Sequence, residues 1–318
     1  MRRTTVSLRH DRYPTEDWSG RRQAMPTSGS RASLRCTLIG AGRVGTAVGE
    51  LLRRQGHEVV GVSSRAASSA ERSAARLRTR VFDHRAGLPE SDVVLLGVPD
   101  DAVEVVTAEI ASSLGRDTVV VHFAGSLGLA PLIKARATGA GGAALHPVQA
   151  CPDVDTALVR LPGSAWGVTA DPEVEPWAIS FVTRDLAGSP VIVTEAARPT
   201  WHAAAVSTSN GIAALLATGE AMLEAVGIEN PQRVLGPLAA GAVANATVAG
   251  GAASLTGPVA RGESETIARQ VEALAASSPN LVQGYVHVIR VILDAAMRAR
   301  RITDEDAERM LELLDGTG

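Results

Sequence analysis

The stretch Cys36–Arg65, CTLIGAGRVGTAVGELLRRQGHEVVGVSSR, decides how the rest of the chain is read. Cys36 to Ile39 is a short apolar run. Gly40, Gly42 and Gly45 come next in a GxGxxG spacing, with Ala41, Arg43 and Val44 between them. Val44, Val48, Leu51 and Leu52 then recur on one face of a helix. Strand, tight turn and helix form the context in which this spacing marks a dinucleotide site. Gly40 permits the turn, Gly42 lets a pyrophosphate approach the backbone, and Gly45 lets helix and strand lie close. The N–H groups and positive dipole end of the helix then face the phosphates. Gly56 ends the helix, and His57 to Val62 reads as the second strand.

The residues just past the second strand bear on which dinucleotide is bound. An acid about 20 residues past the glycines grips the ribose 2′-hydroxyl in NAD-binding members of this plan. Here Ser63, Ser64 and Arg65 stand in that place. No carboxylate is there to repel a 2′-phosphate, and an arginine pairs with one. The expected cofactor is NADP(H), with NAD(H) less favoured.

The chain has 318 residues, enough for two domains, and 45% of them are hydrophobic, enough for a sizeable core. A net charge of −3 argues against nucleic acid as a partner. Two cysteines, Cys36 and Cys151, build neither a disulfide framework nor a zinc site. No HxH or HxxxH spacing supports a metal near His146, His202 or Asp153, and no metal is expected. No apolar run reaches the ~18 residues that span a membrane. Residues 1–31 are rich in Arg, Ser and Thr, without periodicity or a secretory apolar segment, and read as a disordered extension. Met25 is an alternative start. Lys134 is the single lysine among 31 Lys+Arg, a bias that suggests a GC-rich bacterial genome. A cytoplasmic location fits.

Ser91 to Val98 is a continuous apolar run of the kind buried on both faces in a parallel sheet. Val98 and Pro99 at its end complete the expected cofactor-binding set. Asp117 to His122, Gly141 to His146, Ala165 to Thr169 and Pro190 to Val193 read as further strands, with a helix near Pro172 to Leu186. Alternating strands and helices predict a parallel, doubly wound sheet. After Ala197 the pattern is helical throughout, over Thr200–Val226, Pro231–Val248, Ser264–Ala276, Asn280–Ala299 and Thr303–Leu314. The expected organisation is a Rossmann domain over 32–194 followed by an all-helical domain over 195–318, which binds substrate and dimerises.

The motifs GAGRVG, LLGVPDDAV, HFAGS, LHPVQ, WHAAAVSTSN, GPLAAGAVANA and LTGPVARGE occur in this order. Together they resemble the oxidoreductases that join a Rossmann-like domain to a C-terminal helical domain of unknown function. The plan is similar to that of pyrroline-5-carboxylate reductase, ketopantoate reductase and the deazaflavin-dependent NADP reductases. The resemblance covers nearly everything after about residue 32. It implies a nicotinamide-linked activity and a homodimer built through the helical domain. Trp201 stands where the pattern has a tyrosine, and Glu263 where it has an aspartate.

Hydride transfer needs a protein that orients the substrate and moves a proton. Ligands of open α/β sheets sit outside the carboxyl ends of the strands. His122, Ser126, His146 and Gln149 lie at or just past such ends. His146 suits proton transfer near neutral pH or, equally, a backbone bond at the strand end. His122 reads as structural. His202 and Asn210 lie eight residues apart on one helix, about 80° apart around it. The resemblance implies a lysine and an asparagine on this helix that bind and protonate substrate. No lysine is available, so His202 is the candidate donor, with Asn210 holding a substrate oxygen. Thr256 and Arg261 of the LTGPVARGE loop are candidate substrate ligands, Arg261 through a carboxylate or through a pair with Glu263. The expected activity is reduction of a small carboxylate-bearing carbonyl or imine compound. The alternative is a non-catalytic NADP(H)-binding sensor.

Overall fold

The computed structural model describes residues 33–317. The extension over 1–31 and the start at Met25 lie outside the described residues. The elements that position the site are strands β1 (Arg35–Ile39), β2 (Glu58–Ser63), β3 (Val93–Leu96), β4 (Val119–His122), β5 (Gly141–Pro147), β6 (Ala165–Ala170) and β7 (Ser189–Ile192). Helices α1 (Arg43–Arg54), α2 (Ala67–Leu77), α3 (Val103–Ile110), α4 (Ile133–Arg136), α5 (Val154–Arg160) and α6 (Glu175–Ser180) connect them. The sheet order is β2-β1-β3-β4-β5-β6-β7.

Side chains of a strand alternate between its faces, and the strands here are apolar at both sets of positions. Cys36, Leu38, Val93, Leu95, Val119 and Val121 join one core with Val48 and Leu52 of α1, Leu77 of α2 and Leu158 of α5. Ile39, Val94, Leu96 and Val120 join the opposite core with Val103, Val106 and Ile110 of α3 and Ala135 of α4. The sheet is therefore covered on both sides, as continuous apolar runs require.

The sheet departs from a fully parallel one at its far side. β6 runs antiparallel to β5, and β7 runs parallel to β6. α5 lies between β5 and β6 in the chain, and β6 enters from the end of the sheet where β5 finished. The helix expected over Pro172–Leu186 is α6, continued by a π-turn at Phe181–Asp185.

Beyond β7 the described chain is helical: α7 (Arg198–Ala225), α8 (Pro231–Ala249), α9 (Ser264–Ser277), α10 (Pro279–Arg298) and α11 (Asp304–Asp315). Ile267 and Val271 of α9, Ile289 and Leu293 of α10, and Met310 and Leu314 of α11 share one core. Thr303 caps α11 by accepting the Asp306 N–H at 3.1 Å. The chain separates into two compact units between Ala203 and Ala204. No helix among the described residues is long and apolar enough to cross a membrane. Surface charge is organised by arginine, in pairs such as Arg35–Glu90, Arg53–Glu50, Arg136–Asp171 and Arg290–Asp315.

Candidate functional site

Gly40 has φ +92°, a conformation that side chains rarely adopt, and its N–H donates to the Ser63 carbonyl at 2.8 Å. A methyl group on Gly40 would lie 2.5 Å from the Gly97 carbonyl carbon. On Gly42 it would lie 2.9 Å from the Gly97 oxygen, and on Gly45 2.9 Å from Leu38 Cδ1. The turn is thus folded against the residue just past β3. α1 starts there with no side-chain cap and no acid in its first turn. The first N–H groups of a helix have no partner within it, so an uncapped, acid-free start fits a pyrophosphate. Ala41 and Val44 are half-buried, and Arg43 is exposed, with its Nη1 donating to the Pro152 carbonyl at 3.1 Å. Val98 is half-buried and Pro99 exposed at the end of β3.

Past β2, the three expected 2′-site residues differ in exposure. Arg65 is exposed and Ser64 half-buried, whereas Ser63 is only 3% exposed. The Ser63 hydroxyl is bonded to His84 Nδ1 at 2.8 Å.

A second cluster forms at the carboxyl end of β5. Trp201 Nε1–H donates to His146 Nδ1 at 3.1 Å. An imidazole nitrogen that accepts has no proton, so the His146 proton sits on Nε2. The His202 ring stands perpendicular to it, with centroids 5.4 Å apart. Burial, then His202 and Arg198, push the His146 pKa down to about 4. Two glycines make the space. A methyl on Gly125 would lie 2.8 Å from His146 Nε2, and one on Gly167, the β6 partner of His146, 2.8 Å from Trp201 Nε1.

Beneath this cluster lies Arg198, at 0% exposure. Its Nε donates to Thr169 Oγ1 at 2.7 Å, and Nη2 to the carbonyls of Ala144 and of Gly167, the latter at 3.1 Å. Nη1 reaches the Ala124 carbonyl at 3.5 Å. All four acceptors are neutral, and burial pulls its pKa down to about 10. No carboxylate is bonded to it, and the nearby Glu195 charge offsets part of its field.

His122 bonds locally: Nε2 donates to the Gly128 carbonyl at 2.7 Å, and Nδ1 accepts the Ala124 N–H at 3.2 Å. Burial pushes its pKa down to about 4. Ser126 Oγ lies 3.4 Å from Asp100 Oδ2, and the exposed Gln149 accepts the Ala150 N–H. In the second unit, Asn210 and Thr256 are exposed. Arg261 is paired bidentately with Glu263, at 2.5 and 3.1 Å, which holds the Glu263 carboxyl below its usual range.

Sequence reasoning missed Arg198, Trp201 as an orienting donor, and His84. Arg198 carried one legible signal: it directly precedes the Pro199-Thr200 start of an otherwise apolar helix. The other two depend on partners far away in the chain.

Residues 23–147 match the family described as a Rossmann-like domain, and residues 164–292 match a domain of unknown function, DUF2520. No curated protein matches the chain. Among solved structures, the fold is similar to that of a Bacteroides fragilis protein assigned as an NADP oxidoreductase, at 20% identity and TM-score 0.71, over 82% of this chain and 98% of that one. A protein from Thermotoga maritima is similar at 22% identity and TM-score 0.65, over 83% and 99%. So is the reductive aminase of Aspergillus terreus in complex with NADPH and ethyl-5-oxohexanoate, at 18% identity and TM-score 0.62, over 88% and 99%. At these identities the likeness is one of fold. The chain therefore pairs a Rossmann-like domain with a DUF2520 domain.

Proposed function

We propose that the chain is an NADP(H)-dependent oxidoreductase that reduces a small carbonyl or imine compound bearing a carboxylate. The observation that carries this reading is the placement of two features along one set of strand ends. The glycine turn lies just past β1, and the His146–Trp201–His202 cluster lies at the end of β5. The NADPH-bound reductive aminase of similar fold supports a nicotinamide cofactor.

When bound, NADPH supplies the hydride. The start of α1 holds the pyrophosphate, Ser64 and Arg65 take the 2′-phosphate, and Val98 and Pro99 flank the nucleotide. His146 stays neutral near pH 7 and offers its Nε2–H to the substrate oxygen or nitrogen. His202, whose ring stands against that of His146, donates the proton that balances the hydride. Ser126 and Gln149 orient the substrate's polar atoms. The buried Arg198 cation favours an anionic substrate through its field.

Calorimetric titration tests the cofactor. NADPH is expected to bind at least about tenfold more tightly than NADH, and Arg65→Ala to remove most of that margin, as loss of a charge-assisted bond does. Binding of neither nucleotide would sink the proposal. Deuterium transfer from labelled NADPH to a panel of carboxylated ketones and imines tests the chemistry. Tight binding with no transfer to any of them would favour the sensor.

The helical unit supports a homodimer. α7 and α8 are apolar, yet Leu215 is 51% exposed, Val234 55%, Leu238 70% and Val248 90%. Exposed apolar side chains at this density suit a partner surface, and a second copy would meet them by symmetry. Light scattering is expected to give a dimer at micromolar concentration and a monomer for Leu238→Glu. A monomeric parent protein would refute the assignment.

A further inference from the structure

Three side chains from three separate elements form a relay at the end of β2. Ser63, its last residue, is bonded to His84 Nδ1 at 2.8 Å. His84, 7% exposed, lies shortly past the bridge that Val81 makes with Val62. Its Nε2 meets Glu109 Oε2 of α3 at 3.0 Å, and Arg85 Nε holds Glu109 Oε1 at 3.0 Å. The order serine, histidine, carboxylate is that of an acyl-transfer enzyme. Ser63 is nearly closed to solvent, however, so it is no nucleophile. Its carbonyl instead accepts the Gly40 N–H, which ties the relay to the glycine turn.

We infer that His84 is a positioning residue that sets the choice between a 2′-phosphate and a 2′-hydroxyl, and that binding of the phosphorylated cofactor takes up a proton on its ring. This rests on the dinucleotide reading of the glycine turn.

Valence fixes the proton positions. Glu109 as a carboxylate only accepts, so His84 Nε2 carries a proton. In the neutral ring Nδ1 accepts, and the Ser63 hydroxyl points its hydrogen at His84. One proton from solvent, added to Nδ1, reverses this: Nδ1–H donates to Ser63 Oγ, and the hydroxyl hydrogen turns away from the ring. Ser63 and His84 are both buried, so the added charge is weakly screened and acts on the phosphate even without contact. Among the charged groups around the ring, Glu109 is the carboxylate that faces it, and Arg85 holds the other Glu109 oxygen. Asp83, whose Oδ1 accepts the Arg85 N–H at 3.0 Å, and Arg65, two residues past Ser63, complete the set.

Calorimetry of the full chain with NADPH and NADH, in two buffers of different ionisation enthalpy between pH 6 and 8, measures the proton uptake. The parent protein is expected to take up more protons with NADPH than with NADH, and its NADPH preference to fall about tenfold across that range. The 2′-phosphate titrates near pH 6 by itself, so its own share of the uptake falls away toward pH 8. His84→Gln keeps a donor and an acceptor but takes no proton. It is expected to leave only the phosphate's share of the uptake and to flatten the pH dependence of the NADPH preference. Glu109→Gln is expected to shift the uptake to lower pH. Uptake and pH dependence in His84→Gln equal to those of the parent would overturn the inference while leaving the cofactor reading intact. Binding of neither nucleotide by the parent would overturn both. Should His84→Gln fail to fold, the His84 ring resonances of the parent decide: an NADPH-induced shift to the protonated position is required, and its absence refutes the inference.

Discussion

Gly40→Ala is expected to destabilise the protein by about 3 kcal/mol or more, the sum of a left-handed backbone penalty and overpacking against fixed backbone. Gly40 sits at φ +92°, and an added methyl would meet Gly97 C at 2.5 Å, Gly97 O at 2.6 Å and Val98 Cγ1 at 2.7 Å. Two of these three atoms are backbone, so relief requires the end of β3 to move away from the turn. That motion would also open the pyrophosphate cradle, and nucleotide affinity should fall with stability. The chain provides its own control. Gly56 has nearly the same φ, +91°, with nothing within 4 Å of an added methyl. Gly56→Ala therefore isolates the backbone term, about 1–2 kcal/mol. Urea unfolding of both variants measures the difference. Equal losses would mean that the crowding against Gly97 is relaxed at little cost, and that the turn is not shaped by its neighbour.

Acid is expected to weaken the fold above the pH at which carboxylates are protonated. His122 and His146 each accept a hydrogen bond at Nδ1, from the Ala124 N–H and the Trp201 indole. A second proton on either ring would set donor against donor. Both pKa values are accordingly pushed down to about 4, by burial first. Between about pH 6.5 and 4 the unfolded chain binds more protons than the folded one, so stability is full above 6.5 and falls as pH drops. For the fully buried His122 the loss reaches about 2 kcal/mol by pH 5. His146, partly open to solvent, adds less. The Glu50 and Glu263 carboxyls are held below their usual range by arginines and contribute only at lower pH. Urea midpoints at pH 7.5 and 5.0, with His122→Gln alongside, measure the slope. Gln keeps the donor and the acceptor without the titration, and its profile should be flatter. An unchanged midpoint in the parent protein across this range would sink the prediction.

What could be read in the residues was local. Gly40, Gly42 and Gly45 constrain the chain within six positions, and the runs at β3 and β4 announce burial on both faces by their lack of alternation. The helical character after Ala197 shows in the same way. The reversal of β6 did not show, because apolar side chains mark a strand and not the direction in which it pairs. The contacts of the site were hidden by separation. His146 and Trp201 are 55 positions apart, Ser63 and His84 are 21 apart, and Arg198 is 54 from Ala144. Trp201 lacks a hydroxyl, yet its indole N–H is what holds the His146 tautomer. Gly125 and Gly167 read as loop or strand filler until the rings above them are in view.

The reliance on arginine has a consequence on the alkaline side. Among the described residues every ion pair not made by histidine is made by a guanidinium, a group that keeps its proton beyond about pH 12. Lysine-built surfaces lose their cations near pH 10. Here lysine is a single residue, Lys134, and the cation drawn toward that range is the buried Arg198. The buried Cys36 thiol is pushed up as well, as are Cys151 and Tyr285, all by burial first. From neutrality through moderate alkali, the charge pattern of this fold hardly changes. It is a protein buffered against base and exposed to acid, with the boundary set by two imidazoles.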